Sequence, residues 1–368
     1  MKILHVIDNL SMGGAQSLLV ELLPIQKEIG NEVTVLELQQ STDRTFANQL
    51  EDKGINILYL SKSKSVRSFS HIFKLIPYLK KYDVIHVHLF PANYWVALAK
   101  FLSRCKTPIL TTEHSTTNKR RNIPILGFIE KIIYGKYQQV VACADKAYNT
   151  FHAKYPKVNC ISIPNGVQIS KYMSAIPYSK YDLLKIKEDD FVFTMVARFN
   201  YPKRQDTIVE ALSFLPKKFN AVLVGGSPED LELLKIKNLA QRLGVLDRVH
   251  FLYVRSDIPR ILKTSDAVVL ASEYEGLSLS SIEGMASGRP FIATNVNGLG
   301  SVVDGAGILF KCGNSKELAK VLIKLDSDKE YYNHVIETCL KRASEYDIHL
   351  AADKYQKVYM ELLGQFTD

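Results

Sequence analysis

The chain of 368 residues is long enough for two ordinary domains, and its hydrophobic content of 46% is typical of globular proteins. No stretch reaches the roughly eighteen apolar residues that a membrane span needs, and no apolar segment follows the first residues as in a signal peptide. The five cysteines are scattered and odd in number, which favours reduced thiols in the cytoplasm over a disulfide framework or a zinc site.

The net charge of +9 lies entirely in the first half of the chain. Residues 1–165 hold 21 lysines and arginines against 12 acidic residues, whereas residues 166–368 hold 26 of each kind. This asymmetry fits an anionic partner, either a membrane surface or a nucleic acid. Aromatic residues are sparse among the basic ones, which argues against a nucleic-acid platform. A solvated basic face is the simplest alternative.

Short apolar runs alternate with helical stretches along the chain, which predicts parallel sheets built from βαβ units. The predicted strands of the first half are Ile3–Ile7, Val33–Leu38, Ile55–Leu60, Val84–Val87, Ile109–Thr111, Val140–Ala142 and Ile161–Ile163. Those of the second half are Phe191–Val196, Ala221–Val224, Val249–Leu252, Ala267–Leu270, Phe291–Ala293 and Ile308–Phe310. The pattern predicts an α/β protein with two Rossmann-like domains, residues 1–165 and 166–346, and a final helix over Asp347–Leu363.

The segment Gly13-Gly14-Ala15-Gln16 follows the first predicted strand and precedes a helix. Glycines at such a point let the backbone approach a ligand closely. The segment is not the dinucleotide fingerprint G-x-G-x-x-G, so it argues against NAD binding. A tight strand-to-helix turn without a ligand is the alternative.

Three histidines lie at or after the carboxyl ends of predicted strands. His86 and His88 share one face of the fourth strand, but no third metal ligand is placed with them in the sequence, so we expect no metal there. His88, nearer the strand end, is the better candidate to face a ligand. His114 follows the next strand, where ligands gather in a parallel sheet, and Glu113 beside it is a candidate acceptor contact.

A basic and apolar segment follows His114. Lys119-Arg120-Arg121 precedes the apolar run Ile123–Ile129, a combination that suits an interfacial segment on anionic lipid. A packed helix with a solvated, charged start is the alternative.

Arg198 and Lys203 follow the predicted strand Phe191–Val196. Two cations at the end of a strand can clamp a diphosphate and stabilise it as a leaving group. Two exposed loop charges are the alternative, and the acidic residues described next weaken it.

The stretch 272–290 reads as a small-residue loop followed by a helix from Leu279 to the break at Gly288-Arg289-Pro290. The free N–H groups of that helix's first turn favour an anion. Glu275 in the loop and Glu283 in the helix could then accept hydrogen bonds from hydroxyls on either side. A phosphate flanked by hydroxyls suggests a nucleotide sugar.

The segment Asp326-Ser327-Asp328 spells the D-x-D pattern of metal-dependent sugar transferases. It lies between two predicted helices, not at a strand end, so helix capping fits it better. Because two cationic side chains already serve the diphosphate, we predict neither a metal nor another cofactor.

Taken in order, these motifs resemble those of glycosyltransferase family 4, a family of retaining enzymes with the GT-B fold. The matching segments are GGAQ at 13–16, EHS at 113–115, PNGV at 164–167, R-x4-K at 198–203, GGSP at 225–228 and E-x7-E at 275–283. The chain departs from the family pattern at Leu277-Ser278, where Phe-Gly is usual, and at Gln168, where Asp is usual.

The resemblance implies two domains that face a central cleft, with the C-terminal helix, about 347–368, crossing back to the first domain. It implies an N-terminal domain that binds the acceptor and a C-terminal domain that binds the nucleotide sugar. The implied catalytic residues are His114, Arg198, Lys203 and Glu275. The implied donor contacts are Gly13, Gly14, Arg198, Lys203, Gly225, Val254, Arg255, Glu275, Gly276, Leu277, Ser278, Leu279 and Glu283. Candidate acceptor contacts are Gln16, His88, Glu113, Arg120 and Arg121.

The function expected from this resemblance is metal-independent, retaining transfer of a hexose from a nucleotide-diphosphate sugar. UDP is the expected carrier because it is the more frequent one in the family, and GDP is the alternative. The acceptor would be a glycan or a lipid-linked oligosaccharide in capsule or lipopolysaccharide synthesis. The enzyme would be cytoplasmic or peripheral on the cytoplasmic membrane face, and no nucleic acid is expected as a partner. Two alternatives are a GT-B nucleotide-sugar epimerase and a non-enzymatic basic protein that binds nucleic acid or membranes.

Overall fold

The computed structural model describes residues 1–11, 13–114, 123–275 and 278–364. The chain divides into two compact units. The first is formed by Met1–Gly166 together with Ile348–Asp368, and the second by Val167–Asp347. Each unit has one sheet whose strands are all parallel, with helices connecting them.

The first unit has a seven-stranded sheet in the order β3-β2-β1-β4-β5-β6-β7. Its strands are β1 Lys2–Ile7, β2 Glu32–Glu37, β3 Asn56–Tyr59, β4 Val84–His88, β5 Ile109–Glu113, β6 Gln139–Ala142 and β7 Cys160–Ser162. Its helices are α1 Gly14–Glu28, α2 Thr45–Asp52, α3 Ser70–Leu79, α4 Ala92–Ser103, α5 Pro124–Tyr134, α6 Asp145–Lys154 and the C-terminal α16 Ile348–Leu362.

The second unit has a six-stranded sheet in the order β10-β9-β8-β11-β12-β13. Its strands are β8 Phe191–Val196, β9 Phe219–Val224, β10 Val249–Tyr253, β11 Ala267–Leu270, β12 Phe291–Thr294 and β13 Ile308–Phe310. Its helices are α7 Ile169–Met173, α8 Lys180–Leu184, α9 Gln205–Leu212, α10 Leu231–Arg242, α11 Ile258–Thr264, α12 Leu279–Ala286, α13 Gly300–Val303, α14 Ser315–Ser327 and α15 Lys329–Ser344.

The central strands are apolar along their whole length because helices cover both faces of each sheet. In β8, every residue from Phe191 to Met195 is buried, and all four residues of β11 and β12 are buried. The C-terminal α16 belongs to the first unit, where Ile348, Tyr355 and Tyr359 pack in one apolar cluster with β1 and α1. The sheet order reverses at β1/β4 in the first unit and at β8/β11 in the second.

All thirteen predicted strands occur, and no strand end differs from the prediction by more than two residues. The two-residue differences are in β5, which ends at Glu113 and not at Thr111, and in β9. Strand β9 begins at Phe219 and not at Ala221, because the polar Asn220 interrupts the apolar run. Asn220 is nevertheless buried, and its Oδ1 lies 3.2 Å from Nε2 of His250 on the neighbouring strand. The stretch 168–190, expected as a polar connection, contains the two short helices α7 and α8.

Candidate functional site

The reversal of strand order in the second unit brings two loops together. The connections from β8 and β11 leave these neighbouring strands in opposite directions, which opens a crevice at the carboxyl edge of the sheet. Arg198 and Lys203 follow β8, and Glu275 follows β11. The backbone N–H of Glu273 donates to the carbonyl of Pro202 at 2.7 Å, so a main-chain hydrogen bond joins the two loops directly.

Lys203 and Glu275 form an ion pair at this edge. The Lys203 ammonium donates to Oε1 of Glu275, and the Ser272 hydroxyl donates to the same oxygen at 2.8 Å. The two charged side chains are only 20% and 11% exposed. The low local dielectric strengthens the attraction between two partly buried charges. Removing only one of them would leave the other as a buried charge without compensation. The arrangement therefore holds a cation ready at the crevice.

Arg198 is the second cation, and it differs from Lys203 in being exposed. Its main-chain carbonyl accepts a hydrogen bond from Nε2 of Gln205 at 3.0 Å, which ties the loop to α9. No hydrogen bond or ion pair joins its guanidinium to any other residue that the structure describes. Arg198 is thus available to an anionic ligand, whereas Lys203 is held by an acid.

Gly225 shapes the neighbouring turn after β9. It adopts φ of +128°, and a Cβ there would lie 2.2 Å from the carbonyl oxygen of Ala197. Its N–H donates to the carbonyl of Tyr253 at 2.7 Å, so the ends of β8, β9 and β10 come close. Only glycine fits such a position.

Val254 and Arg255 follow β10, as expected, but their side chains differ in how accessible they are to a ligand. Val254 is 57% exposed. The Arg255 guanidinium donates to both carboxylate oxygens of Asp257, and this pairing lowers the pKa of Asp257 well below its usual range. Any ligand contact by Arg255 would therefore use its backbone before its side chain.

Helix α12 begins at Leu279, and Ser278 precedes it in an extended conformation without a side-chain hydrogen bond to the first turn. Glu283 lies on α12 and lines a small cavity with Val196 and Leu270, the last residues of β8 and β11. The predicted contacts Gly276 and Leu277 lie outside the residues that the structure describes.

The acidic residues of the D-x-D segment have structural roles, as predicted for capping. The Asp328 carboxylate accepts a hydrogen bond from the backbone N–H of Tyr331 at 2.9 Å and so caps α15. The Asp326 carboxylate pairs with Lys218 at 2.6 Å. Lys218 immediately precedes β9, so this pair lies at the amino edge of the sheet, opposite the crevice.

The first unit carries a cluster of four histidines, His5, His86, His88 and His114, which we call the histidine cluster. His5 was not predicted from the sequence, and it is paired with His86 because β1 and β4 are neighbouring parallel strands. Ring nitrogens of His5, His86 and His88 lie within 4.8 Å of one another, as in a metal site. Every ring nitrogen of these three has a hydrogen-bond partner, however, and a metal would have to replace those bonds.

His114 differs from the rest of the histidine cluster by having an open ring nitrogen. Its Nε2 lies 3.2 Å from Nδ1 of His88. Its Nδ1 is buried and has no hydrogen-bond partner among the residues that the structure describes. Burial lowers the pKa of His114 to about 4, so the ring is neutral near pH 7. A buried polar atom without a partner costs on the order of 1–3 kcal/mol, a cost that a bound ligand could remove.

The predicted acceptor contacts are largely engaged within the protein. His88 is buried with both ring nitrogens bonded, which argues against direct contact with an acceptor. Glu113 accepts a hydrogen bond from the Tyr134 hydroxyl at 2.8 Å. Gln16 is buried and donates to the carbonyl of Asn9 at 3.2 Å. Arg120 and Arg121 lie outside the described residues.

The glycine segment lies where it was expected, between β1 and α1. Helix α1 begins at Gly14, where a Cβ would meet no atom of the described part of the chain within 4 Å. A Cβ at Gly13 would lie 2.4 Å from Oε1 of Gln16. Asp8 at the end of β1 is a further polar residue that sequence analysis missed, and burial raises its pKa to about 6.

Two family models match this chain. Glycosyltransferase Family 4 matches residues 12–171, and Glycosyl transferases group 1 matches residues 182–342. The two matches follow the order of the two units and together span most of the chain.

Individual relatives agree with the family models. The chain is 26% identical to the UDP-Gal:alpha-D-GlcNAc-diphosphoundecaprenol alpha-1,3-galactosyltransferase of Escherichia coli over 83% of this chain and 81% of that protein. It is 24% identical to the capsular polysaccharide biosynthesis glycosyltransferase CapH of Staphylococcus aureus over 98% of each.

Among solved structures, Anabaena Alr3699/HepE, in complexes with UDP and with UDP-glucose, has a TM-score of 0.83 at 22% identity over 98% of this chain and 100% of that one. The family matches decide for a transferase over an epimerase or a non-enzymatic basic protein. The chain is a glycosyltransferase that belongs to family 4 and has the GT-B fold.

Proposed function

We propose that this glycosyltransferase moves a sugar from a nucleotide-diphosphate sugar, with UDP as the carrier, and retains the configuration of the transferred sugar. The observation that carries the proposal is the placement of Arg198, Lys203 and Glu275 at the strand reversal of the second unit. This is the edge of a parallel sheet at which ligands bind. Two cations beside a carboxylate suit a diphosphate that is attached to hydroxyl-bearing groups.

Arg198 and Lys203 bind the diphosphate in this proposal, together with the first-turn amides of α12. As the glycosidic bond breaks, negative charge grows on the leaving diphosphate. The two cations then stabilise the transition state more than the bound donor, which lowers the barrier. The chemistry needs no metal, because the cations supply the positive charge.

Glu275 and Glu283 accept hydrogen bonds from the hydroxyls on either side of the diphosphate. When Lys203 turns toward a phosphate, Glu275 loses its cationic partner and becomes free to accept a hydrogen bond from the transferred sugar. Glu283 on α12 accepts from the ribose. Retention follows from attack on the same face, with the departing phosphate drawing the proton of the acceptor.

In this proposal the first unit carries His114 and binds the acceptor. The neutral ring of His114 contacts a sugar hydroxyl of a substrate through its open nitrogen. Gly13 and Gly14 let the ligand approach the backbone closely, since no side chain of the described residues fills the space at Gly14.

The acceptor is a glycan or a lipid-linked saccharide of surface polysaccharide synthesis, presented at an anionic membrane. The names of two relatives support this class: one acts on a diphosphoundecaprenol-linked sugar and one in capsule synthesis. On α5, Ile125 and Phe128 are 75% and 65% exposed, and the half of the chain that contains α5 holds the basic excess. Among the described residues, no helix has the length and hydrophobicity that a membrane span requires.

The proposal is tested by turnover of the Lys203→Ala variant with a UDP-sugar and a lipid-linked acceptor, measured as UDP release. We expect turnover to fall roughly hundred-fold or more, because transition-state charge loses a cation. Lys218→Ala is the matched control, since it also removes a lysine from an ion pair in the same unit but at the opposite edge of the sheet. Turnover of Lys203→Ala within a few-fold of Lys218→Ala would contradict the proposal.

A further inference from the structure

A chain of hydrogen bonds leads from the C-terminal helix to His114 through the interior of the first unit. Gln26 on α1 donates from Nε2 to the Tyr359 hydroxyl at 3.1 Å, and its Oε1 lies 2.9 Å from Nε2 of His5. Nδ1 of His5 lies 3.0 Å from Nε2 of His88, and Nδ1 of His88 lies 3.2 Å from Nε2 of His114. The chain ends at Nδ1 of His114, for which no described residue provides a partner.

Each ring in this chain is neutral near pH 7. Burial lowers the pKa of His5 and of His114 to about 4 and holds the pKa of His88 well below its usual range. A neutral imidazole has one N–H donor and one acceptor nitrogen. The proton position of one ring therefore fixes the proton position of the next.

The amide of Gln26 sets the direction of the chain. Its oxygen can only accept, so Nε2 of His5 carries the proton and Nδ1 of His5 accepts from His88. His88 then accepts at Nδ1 from the Nε2–H of His114. The remaining nitrogen of His114, Nδ1, is left as a lone pair.

A second branch starts from the nitrogen of the Gln26 amide, and its bonds agree with this orientation. The Tyr359 hydroxyl accepts from Gln26 and has one proton to give, which goes to Nδ1 of His86 at 2.8 Å. His86 then donates from Nε2 to the Thr112 hydroxyl at 2.7 Å, and Thr112 lies 3.2 Å from the Tyr355 hydroxyl. All of these bonds agree with one arrangement of protons, and a reversed amide would invert every one of them.

We infer that Gln26, His5 and His88 are positioning residues that hold His114 as the Nε2–H tautomer, so that its Nδ1 accepts a hydrogen bond from a hydroxyl of the substrate. The identity of that hydroxyl as part of a sugar rests on the proposed function. The tautomer itself does not, because it follows from the orientation of the Gln26 amide and the hydrogen bonds of the free protein. A group with no proton to donate, such as a phosphate oxygen, would not be bound by this atom.

The first test is the tautomer of His114 in the full chain without a ligand, read from long-range proton–nitrogen correlations of protein labelled with ¹⁵N-histidine. Comparison with the His114→Gln variant assigns the signal among the nine histidines. We expect a protonated Nε2 and an unprotonated Nδ1. A protonated Nδ1, or an even mixture of tautomers, would overturn the inference whether or not transfer activity is found.

The second test compares Gln26→Met with Tyr355→Phe. Gln26→Met removes the amide that sets the direction, so His114 should become a mixture of tautomers and KM for the UDP-sugar should rise roughly five-fold with kcat changed less. Tyr355→Phe is the control, since it removes a buried hydroxyl from the His86 branch only and should leave both readouts unchanged. An unchanged His114 tautomer in folded Gln26→Met would refute the positioning role, and the wild-type spectrum decides if that variant fails to fold.

Discussion

The ion pair between Lys203 and Glu275 has opposite consequences for stability and for function. Both side chains are largely withdrawn from solvent, so each charge depends on the other and on the Ser272 hydroxyl. Removing one partner of such a pair leaves the other charge buried without compensation. The activity of Lys203→Ala should therefore be measured together with its free energy of unfolding. The same pair lets a phosphate exchange with a carboxylate at one ammonium.

Acid should destabilise the first unit through the histidine cluster. His5 and His114 have folded pKa values of about 4, below the 6.5 of an unfolded histidine. Between these values the unfolded chain binds protons that the fold excludes, so the free energy of unfolding falls as pH drops below 6.5. Each such histidine contributes about 1.4 kcal/mol per pH unit.

This pH dependence can be followed by denaturant unfolding with the fluorescence of Trp95, the single tryptophan, which lies on α4 of the first unit. Asp8, whose folded pKa is raised to about 6, increases the free energy of unfolding as pH falls. Its contribution to the slope offsets that of about one histidine. The His114→Gln variant isolates the effect, since it should reduce the slope by about 1.4 kcal/mol per pH unit. Equal slopes for the variant and the wild type would show that His114 is not held neutral.

Single residues were predictable from sequence where the motif is local. Arg198 and Lys203 are five positions apart, and their placement after a strand was enough to identify them as a pair of candidate ligands. The direct bond from Lys203 to Glu275 was not predicted, because it spans 72 positions and depends on which strands are neighbours. His5 was missed for the same reason, since it meets His88 across 83 positions.

Among the helices, α12 packs on its sheet through a glycine, Gly284. A Cβ at Gly284 would lie 2.5 Å from Cδ2 of the buried Phe291 ring and 3.1 Å from Cγ1 of Val268. Glycine thus allows the helix that carries Glu283 to pack directly on β12. This contact fixes the height of the helix above the sheet.

Alanine at Gly284 should therefore destabilise the protein by about 1–3 kcal/mol through overpacking, although alanine in a helix interior normally stabilises. Phe291→Leu should absorb much of this cost, because it removes the ring atoms that the new methyl group would meet. Denaturant unfolding of the two single variants and the double variant measures this coupling. Strictly additive changes would mean that the close contact does not constrain α12.

Strands were the most predictable elements because burial on both faces leaves a continuous apolar run in the sequence. The short helices α7 and α8 escaped prediction, since each has five residues and no full apolar period. The final helix was predicted within a residue at each end, because its apolar side repeats over four turns.

At the scale of the whole molecule, the basic excess in the first half of the chain predicts binding to anionic membranes. Anionic vesicles should bind the full chain, neutral vesicles should bind it less, and rising salt should weaken binding because screening shortens the range of the attraction. Co-sedimentation with vesicles of phosphatidylglycerol and phosphatidylcholine measures this. Binding that ignores both salt and lipid charge would contradict the prediction.

The apolar part of that surface can be tested separately on α5. Replacing the exposed Ile125 and Phe128 with aspartate should lower vesicle binding about tenfold or more, because two apolar side chains no longer leave water. Leu231→Asp is the matched control, since Leu231 is 76% exposed on a helix of the second unit. Equal losses in the two variants would show that α5 has no special part in docking.

The central claim is that the second unit grips a diphosphate with Arg198 and Lys203, and calorimetric titration with UDP tests it most directly. UDP should bind the wild-type protein, and Arg198→Ala and Lys203→Ala should each weaken that binding about tenfold to hundred-fold, as expected for the loss of a charged hydrogen bond. Uridine, which lacks the diphosphate, should bind all three proteins with similar weak affinity. If UDP bound a variant carrying both Arg198→Ala and Lys203→Ala as tightly as the wild type, the two cations would not hold the diphosphate and the account would be wrong.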